Sequence, residues 1–435
     1  MTSSVPKKAY VLLIFFTLLN VINFIDRYLI AAFALEITTD LGITNAQFML
    51  LTGIVFTMFY VTVGVALGVA ADRWSRPKLI SIGLFVWSVT TAATGFARNF
   101  AEMAVARLLI GAGEATLTPT SLSLLSDIFP LRKRAMATGI YYIGVPLGTG
   151  LAFMVASAVG DWGWRNCFYF MGGLGLFLWL GMFFVKDPPR GAMEEAHADK
   201  GGVEAHASFG AVLKNIGKAL TISPALLFVI IGAVITHIGL GATLIDSKWL
   251  ALERGFTPEK AKAIMGLNLL VAGTIGTLVG GVLADAFQAR WPRGGKLYFL
   301  VLVQLCAIPF IIGYRFSDPA SVVFKASIFM TSLTNFVFYG PVYSAVQDLS
   351  PVRVRASMVA LLLFAVNFFG VSVGAYATGT LADYYTTIGK ADAYTWATFI
   401  PMAVAMSCGI FYLLAALNYH SSRQRVIEAE RAGLV

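Results

Sequence analysis

Two short stretches hold the residues best suited to chemistry. Asp26 and Arg27 stand side by side near the middle of one apolar run. Arg107 and Glu114 stand seven residues apart in another, two turns along one helix face. A carboxylate beside a guanidinium is suited to switching, because protonation neutralises the acid and frees the arginine for an anion, which its planar fork holds in bidentate fashion. Two cations and two anions also form a neutral set, which lowers the cost of sharing a low-dielectric cavity. The pattern predicts proton coupling at Asp26 or Glu114 and head-group binding at Arg27 or Arg107. Fixed ion pairs that staple two helices are the plainer alternative. No H-E-x-x-H metalloprotease string and no G-x-x-x-x-G-K-S/T phosphate loop occurs. The chain therefore reads as a non-enzyme that needs no ATP, no metal and no cofactor.

The elements that must position these groups follow from composition. Of 435 residues, 58% are hydrophobic and 13% charged, with a mean hydropathy of +0.76. That leaves too little polar surface for a water-soluble globule. Only helices and closed barrels satisfy every backbone group in hydrocarbon, and the apolar runs have the twenty-residue length of helices rather than the alternation of barrel strands. Twelve spans are expected near 10–33, 47–70, 79–97, 102–125, 135–159, 166–185, 223–247, 260–284, 296–314, 321–346, 356–381 and 395–418. Ionisable groups at that depth are costly and default to function.

An even count puts both termini on one side of the bilayer. Of the 32 lysines and arginines, 21 fall on that side and nine in the opposite loops, Arg165, Lys248, Lys262 and Arg315 among them. By the positive-inside rule the termini face the cytoplasm. The net charge of +9 is spread over short segments, so orientation explains it better than nucleic acid does. Cys167, Cys306 and Cys408 lie in apolar stretches without ligand spacing and read as packing residues. Residues 186–221 form the longest polar interval and read as a cytoplasmic linker, where Glu194, Glu195, His197 and His206 are ordinary solvated groups. The absence of N-x-S/T acceptors and of long tails favours a bacterial inner membrane.

Two matches reveal a duplication. Asp127-Ile-Phe-Pro-Leu-Arg-Lys-Arg134-Ala and Asp348-Leu-Ser-Pro-Val-Arg-Val-Arg355-Ala share D-x-x-P-x-R-x-R-A, 221 residues apart, and Gly68-x-x-x-Asp72 recurs as Gly281-x-x-x-Asp285. A repeated unit with an even number of spans keeps its orientation, as in parallel repeats about an axis along the membrane normal.

Gly68-x-x-x-Asp72-Arg73-x-Ser75-Arg76-x-Lys78 resembles the loop motif between helices two and three of the major facilitator superfamily, with serine at a position usually held by glycine. Arg107-x-x-x-Gly111-x-Gly113-Glu114 resembles the fourth-helix motif of that family, and Gly144-Val-Pro146-Leu-Gly148-Thr-Gly150 its fifth-helix antiporter motif. The resemblance implies an all-α membrane protein with twelve transmembrane helices in two pseudo-symmetric six-helix bundles, 1–185 and 222–420, followed by a cytoplasmic tail over 421–435. It also implies a cytoplasmic latch in which Asp72, Arg73, Arg76, Lys78, Asp127, Arg134, Asp285, Asp348 and Arg355 take part. Asn23-Phe-Ile-Asp26-Arg27-Tyr with Gly111-Ala-Gly-Glu114-Ala is similar to the Spinster family of lipid transporters, which implies lysophospholipid or sphingoid-phosphate substrates.

The second half contrasts with the first, since its cavity candidates His237, Asn268, Asn335, Phe338 and Asn367 are mild. Each is open to a packing role instead. Asp246 and Lys248 read as a gate or an exposed pair near the end of span seven. The strong mid-membrane charges are expected in the first half alone, opposite an aromatic second half that takes the tail. The resulting expectation is a monomeric, proton-coupled carrier of a small amphiphilic anion, working in a lipid bilayer without nucleic-acid partners. The alternatives are a proton symporter of small organic anions, which predicts a polar cavity in both halves, and a nontransporting receptor.

Overall fold

The computed structural model describes residues 6–71, 74–189 and 209–432. Every regular element among them is a helix, as hydrocarbon demands of backbone groups that have no water to bond. Among the described residues, ten stretches are long and apolar enough to cross a bilayer. They are spans one and two (Lys7–Ala32, Asn45–Gly64), five and six (Met136–Ala158, Gly160–Phe184), and seven to twelve (Pro224–Glu253, Pro258–Arg290, Gly295–Phe316, Val322–Leu349, Ser357–Thr387, Ala393–Arg431). Spans three and four complete the twelve as Arg76–Thr94 and as the pair Phe100–Glu114 and Leu117–Ile128, which is interrupted at Ala115 and Thr116. These two are the more polar, through the serines and threonines of span three and through Glu102, Arg107 and Glu114 of span four. The weakest hydrocarbon signals thus mark the helices that flank the charged residues.

The described chain divides into two compact units. One is Met1–Gly201 with Leu250–Leu270, and the other is Gly202–Trp249 with Val271–Val435. In the first, Phe16, Leu84, Trp87, Leu124, Phe129 and Tyr141 form a buried core. In the second, Leu226, Val229, Leu297, Val342, Met358 and Tyr412 do the same. The segment Leu250–Leu270 packs within the first unit. There Ser157 Oγ donates to the Glu259 carbonyl at 2.9 Å, and the buried Lys262 pairs with Glu36 while its ammonium lies 4.4 Å from the Phe33 ring.

Two stretches read as polar connections are structured. Phe209–Ile222 is a helix inside the interval taken as linker, with Ala219 buried and Ile216 and Leu220 packed on the second core. Its apolar residues recur at three and four positions, with lysine and asparagine on the remaining face, the pattern of an amphipathic helix rather than of a membrane span. The last helix continues to Arg431, through most of the interval taken as a tail, and Glu430 accepts the Val352 amide at 2.6 Å. Glu194, Glu195, His197 and His206 lie outside the described residues.

Close approach explains the span-five motif. A Cβ on Gly148 would stand 2.5 Å from Phe24 Cβ and from the Val21 carbonyl oxygen of span one. One on Gly144 would stand 2.8 Å from Asn20 Nδ2, and one on Gly150 would stand 2.7 Å from the Leu270 amide. Pro146 is buried between them. The Gly148→Val variant is therefore expected to lose about 1–3 kcal/mol of stability through overpacking, seen as a lowered melting temperature of the purified protein.

Candidate functional site

Span four starts where Asn99 Oδ1 accepts the Glu102 amide at 3.0 Å, a side-chain N-cap. From that start, seven residues carry Arg107 and Glu114 to one face. Glycines set how deeply the helix sinks. A Cβ on Gly111 would stand 2.6 Å from the Phe56 carbonyl oxygen of span two, and one on Gly113 would stand 2.8 Å from Trp87 Cβ and the Gly83 carbonyl oxygen of span three. Glu114 consequently reaches span one, where its Oε2 accepts from Arg27 Nε at 3.1 Å and Nη2 at 2.9 Å.

Arg27 lies in an aromatic cradle, its Cζ standing 4.9, 4.8 and 4.7 Å from the rings of Phe24, Phe56 and Tyr60. Its side chain keeps 17% exposure while Glu114 is fully buried. Arg107 is fully buried as well. Its Nε donates to the Leu51 carbonyl at 3.3 Å, in the π-helical turn Leu51–Val55, and its Cζ lies 4.8 Å from the Phe56 ring. Among the described residues, neither Arg107 Nη atom has a hydrogen-bond partner. Asp26 is 1% exposed, and neither of its oxygens is bonded by a described residue. It lies within electrostatic reach of Arg107 and Glu114 and faces Trp87 and Thr91 of span three. Of the four groups singled out in the sequence, Arg27 and Glu114 are joined directly, and Asp26 and Arg107 are enclosed behind them.

The candidate latch residues separate into two matching clusters. In the first unit, Arg76 is buried at the start of span three, pairs with Asp127 and with Asp187, and bonds Ser123 Oγ at 3.1 Å. In the second, Lys296 at the start of span nine pairs with Asp348 at 2.5 Å and bonds Ser344 Oγ at 2.6 Å, and Tyr419 donates to Asp348. Arg134 and Arg355 repeat one contact, each to the carbonyl five residues earlier, at 3.2 and 3.4 Å. The duplication seen in the D-x-x-P-x-R-x-R-A strings extends to three-dimensional contacts. Lys78 and Asp285 are exposed, Gly68 sits in the helix Phe56–Ala71, and Asp72 and Arg73 lie outside the described residues.

In the second unit, His237 is buried. Its Nδ1 is 2.9 Å from the Ala233 carbonyl oxygen, and its ring lies 4.7 Å from that of the buried Phe338. Asn367 donates to the carbonyl one turn earlier, as does Asn268 in the first unit, and Asn335 is half-buried. A G-x-S-x-G string, Gly370 to Gly374, falls in span eleven, where Ser372 is buried and bonds the Asn367 carbonyl oxygen at 2.9 Å. It does not form the exposed strand-to-helix turn of a hydrolase nucleophile.

A second buried ion pair corrects the reading of Arg315 as a loop residue, and it lies at the end of span nine rather than at mid-membrane. Asp246 and Arg315 meet at 2.8 Å with both side chains essentially inaccessible. Tyr314 donates to Asp246, and Arg315 lies against Met402 Sδ and over the Trp249 ring. The sequence alone reads Arg315 as a loop residue because hydropathy falls gradually at the end of span nine. Arg315 lies one residue inside span nine, and the aromatics on both sides of it, Tyr314 and Phe316, were the available signal. Lys248 and Lys262 are buried too, so Asp246 and Lys248 are not an exposed pair. Among the cysteines, Cys167 and Cys408 are buried and Cys306 is exposed.

Twelve apolar helices built on a repeat, with charges enclosed among them, define a polytopic membrane transporter. A family description for the Major Facilitator Superfamily matches residues 16–375, and the chain belongs to that superfamily. Within it the chain is Spinster-like. It is 26% identical to zebrafish (Danio rerio) Protein spinster homolog 3 over 97% of this chain and 88% of that protein. It is 27% identical to the mouse (Mus musculus) sphingosine-1-phosphate transporter SPNS2 over 93% and 77%. A bacterial homologue of the human lysosomal transporter Spinster, crystallised inward-facing and occupied, shares its fold. The TM-score is 0.81 at 22% identity, over 97% of this chain and 99% of that one.

Proposed function

We propose that this transporter moves an anionic amphiphile, a lysolipid or sphingoid phosphate, with coupled protons and by alternating access. The observation that carries the reading is the Arg27–Glu114 pair, whose arginine retains exposed surface while its carboxylate retains none. An anionic head group reaching Arg27 competes with Glu114 for the same donors. The displaced Glu114, closed off from water and facing the Asp26 carboxyl group, is then best kept neutral by a proton. Asp26 is the second proton-carrying carboxylate. Arg107, with no exposed surface, positions the cluster instead of binding the head group.

The amphiphilic substrate is supported by the mouse relative, whose name gives sphingosine 1-phosphate as its substrate. It is also supported by the clustered Phe364, Phe368 and Phe369 of the second unit, with ring centroids 5.2–5.7 Å apart, a surface suited to a hydrocarbon tail. The two repeats act as the alternating bodies of a monomer. The excess of lysine and arginine on one side supports both termini in the cytoplasm, the burial of Lys248, Lys262 and Arg315 strengthens that asymmetry, and the absence of N-x-S/T acceptors supports a bacterial inner membrane.

Proteoliposomes tested at set pH gradients with labelled sphingosine 1-phosphate, a lysophospholipid and a dicarboxylate check the proposal. Gradient-dependent uptake of an amphiphile is expected. Uptake of the dicarboxylate alone would replace it with the small-anion symporter.

A further inference from the structure

Asp26 is the most conspicuous unpaired group in the first unit, and its surroundings are informative. On span three, Trp87 and Thr91 stand one turn apart, both fully buried and both facing Asp26. Among the described residues, Trp87 Nε1, Thr91 Oγ1 and both Asp26 oxygens have no hydrogen-bond partner. Mid-helix threonines ordinarily turn the hydroxyl back to the carbonyl four residues earlier, and Thr90 and Thr94 of the same helix do so at 2.7 and 2.9 Å. Thr91 does not. An indole N–H can only donate and a hydroxyl can donate, so two donors face one carboxyl group inside a region where unmet polar atoms are costly.

We propose that Trp87 and Thr91 are positioning residues that close on Asp26 in its ionised form and release it when it is protonated, thereby setting where Asp26 titrates. The inference rests on the reading of Asp26 as a proton-carrying group. The ionised carboxylate takes hydrogen bonds from both donors. The neutral acid offers a weaker acceptor, so the side chain loosens from span three as it gains its proton.

Other groups around Asp26 are accounted for. Arg107 and Glu114 face it from span four, and the Cys167 thiol lies within its reach on span six. Of the remaining helices packed on span one, Gly144–Ala158 contains no titratable side chain. The Tyr141 hydroxyl is bonded to Thr118, and Asp127 is engaged by Arg76. On its own helix, Arg27 is turned to Glu114. Asn23 Nδ2, one turn before Asp26, is a further buried neutral donor and faces Glu114, so Trp87 and Thr91 are the neutral donors that face Asp26 itself.

Infrared spectroscopy of the full chain in nanodiscs follows the carbonyl stretch of protonated carboxyl groups with pH, and needs no substrate. The band lost in Asp26→Asn reports Asp26. Trp87→Phe keeps the ring and Thr91→Val the shape, and each removes one donor. Removing a donor that favours the ionised form raises the pH at which Asp26 gives up its proton, by about one pH unit per donor. Should the Trp87 variant not fold, the nearly isosteric Thr91→Val variant carries the test. Unchanged midpoints would overturn the inference while leaving the proton role of Asp26 standing if uptake by Asp26→Asn proteoliposomes has lost its response to a pH gradient. A retained response would remove that role itself and this inference with it.

Discussion

Replacing Glu114 with glutamine is expected to remove the response of uptake to a pH gradient while raising affinity for an anionic amphiphile about ten- to a hundredfold. In the native chain any anion must take Arg27 from a carboxylate that holds it through two hydrogen bonds at 3.1 and 2.9 Å. Glutamine keeps the shape and one acceptor but carries no charge, so the competing ion pair is gone. Because the glutamine oxygen still accepts from Arg27, the loss is about that of one charge-assisted hydrogen bond, about 1.5–3 kcal/mol, which converts to the stated gain. Tighter binding need not speed transport, because the same change removes the group that must be neutralised to release Arg27. Binding titrations and uptake at paired pH values measure the two effects separately. Full retention of the gradient response in both Asp26→Asn and Glu114→Gln would end the proposal that these carboxylates carry the proton.

The second large effect concerns stability. Arg315→Met is expected to cost about 3–5 kcal/mol, because it leaves Asp246 as an uncompensated buried charge. The pair at 2.8 Å is enclosed by Tyr314, Trp249 and Met402, with no surface through which water could replace the lost partner. The double variant Asp246→Asn with Arg315→Met should recover most of the loss, since removing both charges also removes their desolvation cost. Thermal melting of the purified variants measures this. A melting temperature for Arg315→Met equal to the native one would show that Asp246 is solvated after all.

Much of the site was legible because its signals are local. Asp26, Arg27, Arg107 and Glu114 stand out as charges inside apolar runs, a contrast that needs no knowledge of neighbours. Arg315 was missed for the converse reason. Hydropathy falls gradually at the end of span nine, and a charge there reads the same whether the helix stops before or after it. The helix Phe209–Ile222 was missed because an amphipathic stripe of Phe209, Val212, Leu213, Ile216 and Leu220 with a polar face of lysine and asparagine is not the continuous apolar run of about twenty residues by which spans are read.

By itself the amino-acid sequence determined the twelve helices, the duplicated halves and the presence of opposite charges at membrane depth. Each of these depends on residue type and period along the chain, and the bilayer leaves the backbone only one way to satisfy itself. Tertiary structure decided which arginine meets which carboxylate. Arg27 and Glu114 are 87 residues apart, and their contact depends on how closely three helices approach at Gly111 and Gly113. Arg107, on the same helix face as Glu114, is instead spent on a carbonyl in the π-helical turn of span two. Pairing at 3 Å is a property of packed surfaces, and spacing along one helix is blind to the helix that will lie against it.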